Sequence, residues 1–331
     1  MIENTFFYIN RSSMSPYDTL ALEEAMLNSI LPGQIILYLY THKKAVIIGK
    51  NQNAWKECRF EKLESEGGVM ARRISGGGAV YHDEGNLNFS FIMKKEDYDL
   101  ERQLSVILNA VRALGVNAEF TGRNDLTAAG KKFSGNAFCF RKDAAFHHGT
   151  IMIDVDKDAL MQYLSVPEDK IISKGIDSVI SRVCNLKELS PMVAADEMAA
   201  QLRRAFDAEY GKSEDYVLSD TADKEMKELA ARNATWDWKF GYMGNFDITM
   251  SRRFNWGSFE LHLKLEDARI ADAAVYSDAM DTDYITSLPS YIKGKTFCAD
   301  EMDSAIMSAA ADPGQKAMAE DISAFIKERT V

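Results

Sequence analysis

The residues with the clearest chemical potential lie at positions 72–78, where two arginines and an Ile-Ser pair precede three consecutive glycines. Guanidinium groups are permanent cations that present a planar fork of donors. A glycine run lets the backbone turn sharply and expose successive N–H groups. Cations beside open backbone donors are what a phosphate requires. Because residues 87–91 alternate as a strand directly afterwards, the segment predicts an anion-binding turn rather than a flexible surface loop.

Lys132 is the sharpest single candidate. It stands in the sequence Gly-Lys-Lys-Phe-Ser-Gly at positions 130–135, which is typical of a tight loop. A lysine there can point inward and hold a carboxylate and a phosphate together, whereas Lys131 is interpreted as its solvated neighbour. Upstream, Asn124 and Asp125 can orient a ligand or help to hold Mg²⁺, an ion bound by few protein oxygen atoms. A turn cap explains these two residues equally well.

A pair of histidines, His147 and His148, opens a further predicted strand. Neighbouring strand residues point to opposite faces, so at most one of the two can face a given ligand. The chain contains no Walker phosphate loop and no Rossmann glycine fingerprint between a strand and a helix. The sequence therefore predicts phosphate handling by other means.

The charge balance limits the class of ligand. The net charge of -11 argues against general binding of nucleic acid or of an anionic membrane, because both require a basic field. The basic residues among the glycine-rich segments are Lys43, Lys44, Lys50, Arg72, Arg73, Arg123, Lys131 and Lys132. This distribution predicts a small anionic ligand in a local cationic cleft.

The four cysteines lack the spacing of a structural zinc site. With no secretory signal at the start and no apolar run of transmembrane length, they are expected to be free thiols in a reducing cytoplasm.

Several elements must position these residues. Ser15 and Pro16 predict a helix start, and residues 35–40 and 45–48 predict strands. A length of 331 residues suggests two domains. Beyond a boundary near residue 243, the segments 259–265 and 270–276 predict a hairpin in a region without glycine-rich clusters.

Taken in order, these motifs resemble lipoate–protein ligase A. The matching segments lie at positions 46–53, 72–91, 122–126, 130–137, 147–150 and 178–186. The resemblance covers nearly the whole chain and implies an α+β fold. A catalytic domain, residues 1–243, would contain a mixed β-sheet flanked by helices, and a small αβ accessory domain would follow at residues 250–331.

The resemblance also implies a two-step reaction. Lipoate and ATP, with Mg²⁺, would give lipoyl-adenylate, and a lysine of an acceptor protein would then take the lipoyl group. Lys132 would be catalytic and would contact both substrates. The implied ATP-binding residues are Arg73, Gly78, Ala79, Val80, Tyr81 and Lys132, and the implied lipoate-binding residues are Lys132, Arg73 and His148. The implied acceptors are lipoyl domains of 2-oxo acid dehydrogenase E2 subunits, the glycine-cleavage H protein, or both.

Two other activities compete with this interpretation. Related octanoyl- and lipoyl-transferases carry the acyl group on a cysteine, but the comparable segment here, residues 176–179, has none. A non-catalytic binder of lipoyl domains is the third hypothesis, against which the presence of Lys132 and Arg73 argues. The preferred acceptor, the choice between lipoate and octanoate, and the oligomeric state stay open.

Overall fold

The computed structural model describes residues 4–12, 14–121, 125–165, 182–241, 246–266 and 269–329. The chain divides into two compact units. The first unit comprises Met1–Ile47, Lys56–Ile74 and Ala79–Lys239, and the second comprises Ile48–Trp55, Ser75–Gly78 and Phe240–Val331. Two short segments from the N-terminal half of the chain therefore belong to the same unit as the C-terminal residues.

The strands of the described residues are, in chain order, β1 Thr5–Arg11, β2 Gln34–Thr41, β3 Lys44–Ile48, β4 Val69–Arg72, β5 Val80–Asp83, β6 Asn86–Lys94, β7 Ala118–Thr121, β8 Asp125–Ala128, β9 Lys131–Phe140, β10 Ala144–Met152, β11 Glu214–Asp215, β12 Ile248–Phe254, β13 Gly257–Glu266 and β14 Arg269–Ser277. The α-helices are α1 Pro16–Ser29, α2 Ala54–Glu57, α3 Phe60–Ser65, α4 Leu100–Ala113, α5 Lys157–Tyr163, α6 Ala195–Tyr210, α7 Asp220–Ala234, α8 Trp236–Phe240, α9 Thr282–Ile292, α10 Ala299–Ser308 and α11 Pro313–Lys327.

The main feature of the first unit is an eight-stranded mixed sheet in the order β11-β1-β2-β6-β10-β9-β8-β7. The central strands β2 and β6 are buried along nearly their whole length, as expected for strands covered on both faces. One face packs on α4 and α6, where Phe91 and Phe206 lie in the same apolar cluster. The other face packs on α1, through residues such as Met26 and Phe146. This mixed sheet flanked by helices confirms the predicted α+β fold.

Helix α1 begins as the sequence predicts. The Ser15 hydroxyl accepts a hydrogen bond from the Tyr17 N–H at 3.2 Å, and Pro16 occupies the first turn. The helix is buried around most of its circumference, and two consecutive carboxylates, Glu23 and Glu24, are among its buried residues. Buried carboxylates require compensating partners, so α1 must make polar contacts in addition to its apolar packing.

The strand that carries the histidine pair separates its two rings. His147 lies on the α4 face, with its ring nitrogens 3.0 Å from Gln103 Oε1 and 2.8 Å from Asn136 Oδ1. A neutral ring donates one hydrogen and accepts another, and side-chain amides offer both groups. Burial lowers the pKa of His147 to about 3. His147 is therefore a structural residue of the core.

Acid should destabilise the fold through such histidines. Burial also lowers the pKa of His42 to about 3. In the unfolded chain these histidines have a pKa of roughly 6.5, so below that pH they bind protons that they do not bind in the folded chain. The free energy of unfolding therefore falls as the pH drops from about 6.5 toward 3. Between about pH 7 and 5.5, each histidine should remove roughly 1 kcal/mol from the free energy of unfolding. Urea unfolding at both pH values measures this loss. The variant His147→Gln should lose less unfolding free energy between these pH values, by the contribution of one histidine. An unchanged pH dependence in that variant would contradict the prediction.

The second unit contains a three-stranded antiparallel sheet in the order β12-β13-β14, packed on α9, α10 and α11. Strand β13 alternates buried and partly exposed residues, and it pairs with β14 from Phe259–Ser277 to Glu266–Arg269. The predicted hairpin is thus confirmed. None of the helices in the described ranges combines the length and apolar character needed to cross a bilayer.

Candidate active site

Lys132 lies near the start of β9 and not in a loop. The turn that precedes it is formed by Ala129 and Gly130, both at positive φ. The predicted tight loop at residues 130–135 is therefore wrong, because a strand begins at Lys131. The Lys132 backbone is fixed by its N–H, which donates to the Arg182 carbonyl at 2.8 Å. Its carbonyl accepts from the Cys184 N–H at 2.9 Å. The residue is therefore held on both sides of its backbone.

A β-bulge directs the Lys132 side chain. Leu126 pairs with Ser134 and Thr127 with Lys132, so Phe133 is one extra residue in β9. The Phe133 ring is fully buried in the core on the α4 and α6 face. Bulges re-aim neighbouring side chains and are common beside active sites. Here the bulge combines a buried phenylalanine with a partly exposed lysine at adjacent positions.

The Lys132 amine lies back over the sheet and beside a carboxylate. It is 2.6 Å from Asp125 Oδ1. A Cβ placed on Gly135 would be 3.0 Å from the Lys132 Nζ, so the glycine provides the space for the amine. The Gly135 N–H in turn donates to Thr150 Oγ1 on β10 at 3.3 Å. The other residue of the predicted orienting pair, Asn124, lies outside the described residues.

On the same face of the sheet, His148 contacts a carboxylate from α1. Its Nδ1 donates to Glu23, with distances of 2.9 and 3.1 Å to the two carboxylate oxygens. The Ser90 hydroxyl also donates to Glu23. His148 pairs with Ala137, and strand alternation places His148 and Thr150 on one face, roughly 7 Å apart along β10. The Lys132 amine and His148 therefore lie on the same face of β10.

Arg73 is the buried cation of this region. Its side chain donates to the Ile47 carbonyl at 3.1 Å. Burial lowers its pKa to about 10, while Tyr40 and Glu23 oppose that shift. The guanidinium therefore stays charged at neutral pH and compensates the Glu23 carboxylate across the buried space.

Arg72 has different partners from Arg73, and the joint contact of the two arginines with a phosphate stays a prediction. The Arg72 guanidinium donates to the backbone carbonyls of Trp238 at 2.9 Å and Lys239 at 2.6 Å. Adjacent residues at a strand end point to opposite sides. The two arginines therefore separate into one that binds α8 and one that faces the Glu23 cluster.

The sequence did not assign a site role to two polar residues of this cluster, His82 and Glu23. His82 Nδ1 lies 3.1 Å from His42 Nδ1, and His42 Nε2 lies 2.7 Å from Thr19 Oγ1. Burial is the first cause that lowers the pKa of His82 well below its usual value. Within the described residues its Nε2 has no hydrogen-bond partner although it is buried. Such an atom points to a bound ligand or water. The second missed residue is Glu23, which a glutamate pair inside an apolar helix could have indicated.

The three consecutive glycines have three different reasons to be glycine. A Cβ on Gly76 would lie 2.3 Å from the Ala279 carbonyl oxygen, within the second unit. Gly77 has a φ of 88°, which favours glycine. A Cβ on Gly78 would meet no atom within 4 Å in the described residues other than its chain neighbours, and Gly78 is exposed. Neither packing among the described residues nor a positive φ requires a glycine at Gly78, and a backbone without a side chain would let a ligand approach closely.

The residues that follow the glycines enter β5. Ala79 is partly exposed, as is Val80, which pairs with Ile47 of β3. The Tyr81 ring is buried and lies 5.6 Å from the Tyr163 ring. Burial raises the pKa of Tyr81, so its hydroxyl stays protonated near neutral pH. The predicted nucleotide segment therefore begins at an open glycine and ends at a packed strand.

Two family models match this chain, in the order that the motifs predict. The model of the lipoyl protein ligase A/B catalytic domain matches residues 15–207, and that of the bacterial lipoate protein ligase C-terminus matches residues 244–326. The chain belongs to the lipoyl protein ligase A/B family. The resemblance inferred from the motifs is thus confirmed.

Solved structures of this family share the fold. LipL1 of P. falciparum, solved with lipoate, is 27% identical and matches over 98% of this chain and 99% of that chain, with a TM-score of 0.83. The bipartite lipoate protein ligase of Thermoplasma acidophilum, studied with its E2 lipoyl domain, is 29% identical over 75% of this chain and 100% of its own, with a TM-score of 0.66. A lipoate-protein ligase A bound with ATP is 28% identical over 73% of this chain and 100% of its own, with a TM-score of 0.64.

Proposed function

We propose that the protein is an ATP-dependent lipoate–protein ligase. The observation that carries the proposal is the common face of the large sheet, where the Lys132 amine and the buried Glu23–His148 pair lie beside the same stretch of β10. Family members were solved with lipoate and with ATP, which supports these two molecules as the substrates. Two anionic substrates must meet in this reaction, and the cations of this face suit that requirement.

In the first step, a lipoate carboxylate oxygen attacks the α-phosphorus of ATP and pyrophosphate leaves. Lys132 lies between the two anions and stabilises the charge that builds in the transition state. Arg73 and His148 bind the lipoate carboxylate, with Glu23 holding the His148 ring in place. Positioning supplies much of the rate, because the chemistry needs no protein nucleophile.

The nucleotide is held by Arg73, Lys132 and the backbone from Gly78 to Tyr81. Gly78 contributes an exposed backbone without a side chain, which suits close approach of a phosphate. Mg²⁺ enters with ATP, and Asp125, with Asn124, helps to orient it. No cluster of three or more His, Cys, Asp or Glu in the described ranges could hold a metal. Proteins usually bind Mg²⁺ through one or two carboxylates together with substrate phosphates and water, and Asp125 would supply such a carboxylate.

In the second step, a lysine amine of the acceptor attacks the acyl carbon of lipoyl-adenylate and AMP leaves. The acceptors are lipoyl domains of 2-oxo acid dehydrogenase E2 subunits, the glycine-cleavage H protein, or both. The Thermoplasma acidophilum relative, studied with its E2 lipoyl domain, supports the first class. By family, we assign residues 1–243 to the catalytic domain and residues 250–331 to the accessory domain, while Ile48–Trp55 and Ser75–Gly78 belong to the same compact unit as the C-terminal residues.

The cysteine-relay transferase remains the alternative. Burial raises the pKa of Cys184, and it raises the pKa of Cys58 to about 12. A nucleophilic thiol needs a lowered pKa, so neither cysteine suits the relay. The segment 176–179, where transferases carry their cysteine, lies outside the described residues.

Lipoate-dependent ATP–pyrophosphate exchange with the purified full chain, before any acceptor is added, tests the proposal. Exchange that requires lipoate is the expected result. Absence of exchange, together with acyl transfer from an acylated carrier protein, would replace the ligase with the transferase.

A further inference from the structure

Helices α7 and α8 belong to neither family model. The match to the first model ends at residue 207 and the match to the second begins at residue 244. Neither model therefore assigns a role to residues 208–243. Within the first unit, however, this segment makes polar contacts with both elements that carry the buried cluster. One set of contacts reaches α1, and the other reaches the end of β4.

The contact with α1 is an ion pair between Arg232 of α7 and Glu24. Arg232 Nη2 lies 2.6 Å from Glu24 Oε2, and Arg232 Nη1 lies 3.3 Å from Glu24 Oε1. Arg141 adds a second guanidinium at 2.7 Å. The Glu24 side chain is only 4% exposed. A carboxylate this deeply buried depends on its partners, because removing one leaves charge without full compensation.

The contact with β4 joins Trp238 of α8 to Arg72. The Trp238 Nε1–H donates to the Arg72 carbonyl at 3.0 Å, and the Arg72 guanidinium donates to the Trp238 carbonyl at 2.9 Å. The Arg232 guanidinium lies 3.9 Å above the Trp238 ring, within the range of a cation–π contact. Arg232 therefore connects the two contacts into one chain.

Each contact is made by a residue that is adjacent in sequence to a residue of the proposed site: Glu24 follows Glu23, and Arg72 precedes Arg73. Successive helix residues differ by about 100° in direction, so Glu24 can face α7 while Glu23 faces the sheet. Arg72 and Arg73 separate in the same way at the end of β4. The pairs Glu23–Glu24 and Arg72–Arg73 thus each contain one residue for the site and one for α7 or α8.

We propose that Arg232 and Trp238 are positioning residues, which fix Glu23 and Arg73 by holding Glu24 and Arg72. This inference rests on the proposed function. Arg232 affects lipoate binding, because it fixes Glu23 through Glu24, and Glu23 holds His148. Trp238 acts on both substrates, because Arg73 is proposed to contact lipoate and ATP.

The test is the KM for each substrate in ATP–pyrophosphate exchange, with lipoate binding measured by calorimetry. Arg232→Ala should raise the lipoate KM about tenfold while the ATP KM changes by less than about threefold. Arg232→Lys keeps the charge and should recover part of the loss, since it lacks the bidentate fork. Lys227→Ala is the matched control on α7, because the partner of Lys227 among the described residues is an exposed Asp223, in an i,i+4 surface contact at 2.6 Å.

Trp238→Phe keeps the ring beneath Arg232 and removes the donor to Arg72. It should raise both KM values. If Arg232→Ala fails to fold, Arg232→Lys and Trp238→Phe carry the test with the same two KM values. If the wild-type chain is active and these variants have the same KM values as the wild type, this inference alone is overturned. A wild-type chain with neither exchange nor lipoate binding would overturn the proposed function as well.

Discussion

Replacing Lys132 by alanine should abolish adenylate formation and leave the fold intact. The lysine and its partner Asp125 are each 38% exposed, and exposed ion pairs contribute at most about 1 kcal/mol to stability. The substitution removes the cation proposed to lie between carboxylate and α-phosphate, where charge builds. Loss of one such group costs about 100- to 1,000-fold in rate. Lipoate-dependent ATP–pyrophosphate exchange measures this loss directly, and urea unfolding checks the fold.

The neighbouring lysine supplies a matched control. Lys131 is more exposed than Lys132 and lies one residue earlier on β9. Lys131→Ala should retain exchange within about twofold, as expected for a solvated surface charge. Retained pyrophosphate exchange in Lys132→Ala would exclude Lys132 from the chemistry. Equal losses in both variants would indicate a general electrostatic effect of this end of β9.

Replacing Gly78 by alanine should impair adenylation without destabilising the protein. Apart from its chain neighbours, the added Cβ would meet no atom of the described residues within 4 Å, so the described part of the fold has room for it. The methyl group would instead stand beside the backbone that is proposed to bind phosphate. A displacement of about 1 Å in a reacting group can cost about 100-fold, so we expect a loss of that order in exchange, with a raised ATP KM.

Gly76 provides the opposite case two residues earlier. A Cβ there would lie 2.3 Å from the Ala279 carbonyl oxygen and 2.9 Å from Met280 Cα. Both are backbone atoms, so Gly76→Ala should cost about 1–3 kcal/mol in unfolding free energy through overpacking. Urea unfolding of the two variants separates the roles. A Gly78→Ala variant that keeps wild-type exchange would remove Gly78 from the nucleotide site.

Local patterns determined much of the architecture. The cap at Ser15, the strands around residues 35–48 and the C-terminal hairpin all follow from spacings within a few residues. The order of the motifs was enough to indicate the family, because each motif is a contiguous segment of the sequence. Lys132, Arg73 and His148 could be selected for the same reason.

The partners of those residues required the tertiary structure. Glu23 lies 125 positions from His148, and Arg72 lies 166 positions from Trp238. A sequence pattern carries no signal for such pairs, because they depend on how α1 packs on the large sheet and how α7 and α8 pack on α1 and β4. The same reason divides the adjacent arginines and the consecutive glycines into different roles. The sequence by itself thus determined the family and which residues are chemically suited to the proposed reaction, whereas the fold decided which of them share a face and which contact neighbouring helices.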